Sequence, residues 1–138
     1  MARPKKKIVD YFPHQCVSGK TMFVLEQEFG NDGYAFWFKL LELLGSTDGH
    51  FFDCRNVSEF KFLQAKTKTS QDSASRMLDL LRDLGAIDSV LWDKKVIWSQ
   101  NFVDGLSTVY SNRKVEMPVK PSFYGQKLTT AAVSTADN

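Results

Sequence analysis

The stretch NVSEFKFLQAKTKTSQDSASRMLDLLRDLGAIDSVLWDKKVIWS, residues 56–99, decides the fold. Asn56 or Ser58 supplies a side-chain acceptor ahead of an apolar run, the signature of a helix start. Val57, Phe60, Phe62 and Leu63 are the residues expected to face inward. Thr67 to Thr69 is a short polar link, after which Ser70 or Gln71 opens a second helix reaching Leu84. Ala74, Met77, Leu78, Leu81 and Leu84 recur in it at helical spacing, and Gly85 stops it. Ile87–Trp92 and Val96–Trp98 are apolar runs around Asp93, Lys94 and Lys95, which predicts a β-hairpin, though without an Asn-Gly turn. Two helices across a tight turn followed by a two-stranded ribbon is the order of a winged helix-turn-helix.

Upstream, Phe51–Cys54 reads as a short strand that would complete a three-stranded sheet, and Ser46–His50 as a turn. Before it, Asn31 or Asp32 caps a helix to about Leu44 that is apolar almost all round: Tyr34, Phe36, Trp37, Phe38, Leu40, Leu41, Leu43 and Leu44. A helix of this kind sits at the centre of a domain. An earlier helix runs from about Ser18 to Phe29, with Gly30 as its stop. Downstream, Ser99 caps a last helix lined by Phe102, Val103, Leu106, Val109 and Tyr110. The expected class is mainly α with a small β-sheet (α+β), a winged helix-turn-helix with an additional C-terminal helix. Residues 1–13 form a basic arm pinned by Tyr11 and Phe12, 14–116 the domain, and 117–138 a flexible polar tail, because Pro118 and Pro121 stop helix and the end is small and polar.

Charge is unevenly spread. The chain carries +2 overall, with +3 in residues 1–10 and +2 in 113–138, which leaves −3 on the body. The body therefore has no overall positive field for nucleic acid. Candidate DNA contacts are Lys66, Lys68, Thr69, Ser70, Gln71, Ser73 and Arg76 around the second helix start. Lys94 and Lys95 at the wing, Arg3, Lys5, Lys6 and Lys7 in the arm, and Arg113 and Lys114 complete the set. A helix start favours phosphate through its free amides and dipole, and Gln71 or Arg76 could reach a base edge. The outward face of that helix holds Asp72, Arg76, Asp79 and Asp83, three carboxylates to one guanidinium. Phosphate contact through the helix start and the arms is therefore favoured over base reading. Trp92 and Trp98 either pack on the body or, if exposed, offer a stacking platform for bases.

Catalytic chemistry finds no support. Ser18-Gly19-Lys20-Thr21 matches only the end of a phosphate-binding loop and has no strand before it. Two His and two Cys in tail and turn positions make neither a nucleophile–base pair nor a metal site. Cys16 and Cys54 read as reduced thiols. The expectation is a cytoplasmic, non-enzymatic protein without cofactor, metal, membrane contact or small-molecule substrate.

Further motifs carry a resemblance. Met1-Ala-Arg-Pro-Lys-Lys-Lys7 followed by Asp10-Tyr-Phe-Pro13 resembles the opening of a bacterial and phage family with a replisome-organiser-like N-terminal domain, akin to DnaD-like primosome proteins. Glu28-Phe-Gly30, Gly33-Tyr-Ala35, Lys39-Leu-Leu41 and Asn112-Arg-Lys114 extend it over roughly residues 1–117. The segment His14-Gln15-Cys16 departs from the acidic and apolar continuation usual there. The resemblance implies a winged helix and a role near initiation of phage-type DNA replication. DNA is the expected partner. Replication proteins or a second copy of the chain are the alternatives if the module serves protein interaction, and transcriptional regulation is a third reading.

Overall fold

A computed structural model describes residues 7–130. Helix α1 (Lys20–Gly45) contains both early helices, broken at Gly30, whose φ of 63° and ψ of −149° lie outside helical space. The chain folds tightly there. A Cβ placed on buried Gly33 would meet the Leu25 carbonyl oxygen at 2.8 Å and the Leu25 and Phe29 side chains at 3.1 Å. The arm after the break is the centre of the domain. Phe36 and Leu40 to Leu44, apart from exposed Glu42, are buried, and α2 (Val57–Thr67) and α3 (Gln71–Asp83) both pack against α1.

The strand at residues 51–54 is shorter than expected. Strand β1 (Phe52–Asp53) pairs antiparallel with β2 (Val96–Ile97), Phe52 opposite Ile97. The architecture is mainly α with small antiparallel sheets. The hairpin expected over 87–98 does not form. Ser89–Asp93 is instead a helical turn, α4, capped by the Asp88 carboxylate on the Leu91 amide. The physical reason is local capping. The Asp88 side chain accepts the Leu91 amide and its carbonyl accepts the Trp92 amide, which closes a helical turn and places Leu91 and Trp92 both in the core. Trp92 then donates its indole N–H to Asp79 at 2.8 Å. Trp92 and Trp98 are 1% and 0% exposed, which removes them as a stacking platform. Only the Asp88 amide, donating to the Trp98 carbonyl, lies where a third strand was expected.

The last helix is split at Gly105–Leu106 into α5 (Gln100–Asp104), capped by Ser99, and α6 (Ser107–Arg113). Residues 117–130, expected as part of a flexible tail, contain a hairpin, β3 (Ser122–Tyr124) with β4 (Lys127–Thr129). Its Phe123 and Leu128, directly opposite each other, pack on the core. The pinning of the N-terminal segment is the work of Phe12 and His14. Phe12 lies edge-on to Phe102, and His14 stacks on Phe38 at 3.8 Å and bonds the Tyr34 hydroxyl. Tyr11, expected to share that role, is 76% exposed.

His50 locks the two ends of the domain together. Its imidazole, fully buried, donates from Nδ1 to the Leu44 carbonyl at 2.9 Å and takes the Tyr110 hydroxyl at Nε2 at 2.5 Å. Burial favours the neutral ring and holds the His50 pKa below its ordinary 6.5. The native state then binds fewer protons than the unfolded one. Stability from His50 is complete above the unfolded value and is lost as pH falls from there through the folded value. Thermal unfolding is expected to be flat from about pH 8 to 7 and to lose Tm below about pH 6.5. His50→Gln should have a lower Tm and a shallower slope over that window; an unchanged slope would reject the assignment. At Gly33, alanine gains about 1 kcal/mol of helix propensity, but crowding against a backbone carbonyl costs roughly 1–3 kcal/mol. Gly33→Ala should therefore unfold a few degrees earlier, and a rise in Tm would show that the bend relaxes freely.

Candidate nucleic-acid interface

The α2–α3 unit is built from its polar residues. Asn56 caps α2 by accepting the Ser58 amide at 2.8 Å. Lys68 ends the helix in a left-handed conformation (φ 59°). The buried Thr67 hydroxyl bonds the Leu63 carbonyl and meets the Thr69 hydroxyl at 2.9 Å, and Ser70 caps α3 on the Ser73 amide. Thr69 and Ser70 thus hold the turn together, leaving Lys68 and Gln71 exposed at its surface and Ser73 half-buried. Beside the turn lies a cleft of about 250 Å³ against the middle of α1, flanked by Lys39, Lys68 and Asp32.

Lys66 is drawn away from this surface by Glu42, at 3.0 Å. Arg76 lies over the Phe29 ring and 3.9 Å from Asp72. The rest of the outward α3 face is organised by Arg82, a residue sequence reasoning passed over. It reaches Asp83 and Asp93 at 3.1 Å and Asp79 at 3.9 Å, and these acids raise its pKa. The α3 surface therefore presents carboxylates already tied to its own guanidinium groups.

The remaining cations fall into separate places. Lys94 sits with its Nζ 5.3 Å from the Phe123 ring, and Lys95, left-handed at φ 66°, covers Trp92. Both are exposed, but next to the C-terminal hairpin and α4 rather than on a wing. Arg113 donates to the Ile8 carbonyl at 2.7 Å and Lys7 to the Glu116 carbonyl, so both fasten the N-terminal segment. Lys114 caps α6 and is exposed. Arg3, Lys5 and Lys6 lie outside the described residues.

Three further residues gain importance only in the structure. Arg55 forks onto Asp53 at 2.9 and 2.7 Å and donates to the Gln126 carbonyl at 2.9 Å, tying β1 to the hairpin turn. The hydrogen bonds from Arg55 hold the Asp53 carboxyl below its usual range. Tyr124 and Lys127 face each other on the outer side of the hairpin, with Tyr124 82% exposed. The sequence signal was Gly125, at φ 67°, in a two-residue turn between alternating residues.

Cys54, a free thiol, is buried and its pKa pushed up to about 12, which makes it a poor nucleophile. Among the described residues no cluster of His, Cys, Asp or Glu is placed to hold a metal ion, and no helix is long and apolar enough to cross a membrane. No curated protein and no solved structure matches the chain. Residues 11–102, running from the N-terminal aromatic segment through the α2–α3 unit and β2 into α5, match the Lin1244/Lin1753-like N-terminal family. With that much of its 138 residues matched, the chain belongs to the Lin1244/Lin1753-like family through its N-terminal domain.

Proposed function

We propose that this domain is a DNA-binding helix-turn-helix module of the replisome-organiser type, akin to the N-terminal domain of DnaD-like primosome proteins. Its place is near initiation of phage-type DNA replication. It holds the phosphate backbone rather than reading bases. The observation that carries the reading is the α2–α3 turn, where Lys68 and Gln71 stand exposed beside the capped start of a 13-residue helix. The first amides and the dipole of such a helix attract phosphate. The outward α3 face argues against a groove-reading helix, because Asp72, Asp79 and Asp83 outnumber the cations beside them. The resemblance of the opening motifs to replisome-organiser proteins supports the biological setting.

A second reading rests on the same acidic face. Its carboxylates, with exposed Val57 and Phe62 on α2, suit a protein partner of the replication assembly. The two readings separate in a titration of labelled duplex and single-stranded DNA between about 50 and 200 mM salt. Phosphate binding must weaken steeply over that range. Lys68→Ala should lower affinity several-fold and reduce the log–log salt slope by about 1, while Arg76→Ala changes little. Folded protein that binds neither DNA at low salt would end the DNA reading in favour of the protein one. A larger loss from Arg76→Ala than from Lys68→Ala would restore base reading by α3.

A further inference from the structure

We infer that the C-terminal hairpin β3–β4 is a second DNA-contacting element, doing the work of the missing wing by gripping the phosphate backbone with Lys94, Lys127 and Tyr124. This rests on the DNA reading above. The hairpin is held in place by the folded body. Phe123 and Leu128 pack on the core, and Arg55 pins its turn from β1. Lys94 sits over the same Phe123 ring that Arg55 covers from 5.0 Å, so the hairpin is seated beside the cations that a wing would have carried.

Its outer side has the chemistry of a phosphate-binding ridge. The cross-strand pair Tyr124–Lys127, opposite each other in register beside the turn, offers a phenol hydroxyl and an ammonium group. Three neighbouring acids are engaged, Asp53 by Arg55, Asp88 by Lys120 at 3.1 Å and Asp93 by Arg82, while Asp48 and Glu116 line a cleft beside Leu128–Thr130. Among the described residues Lys94, Lys95 and Lys127 have no carboxylate partner. Unpaired lysines on a body that carries −3 make a short-range anchor rather than a long-range attractor. The hairpin lies beyond residues 11–102, the part of the chain that matches the family.

The test uses the full chain and a labelled DNA duplex across a salt series, comparing native protein with Tyr124→Ala/Lys127→Ala, Lys94→Ala/Lys127→Ala and Lys68→Ala. Because Tyr124 and Lys127 are exposed, the hairpin variants should melt like native protein. The expected result is roughly tenfold weaker binding for Tyr124→Ala/Lys127→Ala, and a salt slope reduced by about 2 for the double-lysine variant. Hairpin variants that bind like native while Lys68→Ala is weakened would overturn this inference and leave the DNA reading standing. Native protein that binds no DNA would remove both. Polyglutamate displacing the duplex at equal charge concentration would assign the ridge to an acidic protein and likewise overturn the inference.

Discussion

Everything in this domain is arranged around the second arm of α1, which has almost no polar side to show to water. Phe36, Leu40, Leu41, Leu43 and Leu44 are all buried. At about 1.5–3 kcal/mol per buried side chain, these five contribute on the order of 10 kcal/mol, as much as the net stability of an ordinary domain. The arm can be covered only by wrapping other elements around it. The α2–α3 unit takes one flank and Phe12 with α5 another, while His50 fastens its C-terminal end to α6. The orientation of the α2–α3 turn, and with it the position of Lys68, follows from that packing.

Helices with a capping residue ahead of periodic apolar positions were legible in the sequence. Asn56, Ser70 and Ser99 cap where expected, since a short side-chain oxygen can satisfy amides that nothing else reaches. The break between the first two helices was legible for an equally local reason, a glycine able to take positive φ. Short apolar runs were not legible. Over Ile87–Trp92 the hydrophobic residues suit a strand or a helical turn, and the Asp88 cap on the Leu91 amide decides between them. The Ser122–Thr129 hairpin has three residues per strand, too few for alternation to stand out beside Pro118 and Pro121.

The site was readable as a set of residue types but not as a set of free groups. Lys68 and Gln71 emerge exposed, as their positions at a turn implied. Thr69 and Ser70 are consumed by the turn, Lys66 by Glu42, and Arg113 by the Ile8 carbonyl. The Lys66 and Arg113 pairings join residues 24 and 105 positions apart and leave no trace in local sequence. The result is a surface with exposed Lys68 at the α2–α3 turn, exposed Lys94, Lys95 and Lys127 at or beside the C-terminal hairpin, further exposed lysines such as Lys20, Lys61 and Lys114 elsewhere, and an internally paired acidic helix face.

We propose that DNA is held at the α2–α3 turn and the C-terminal hairpin and not along α3. Amide shift mapping by NMR of the full chain with a short DNA duplex addresses it residue by residue. The account predicts shifts that cluster at Lys68–Ser73 and at Gly125–Lys127, with Asp79–Asp83 quiet. Shifts centred on Arg76–Asp83, or none anywhere on the folded protein, would contradict it.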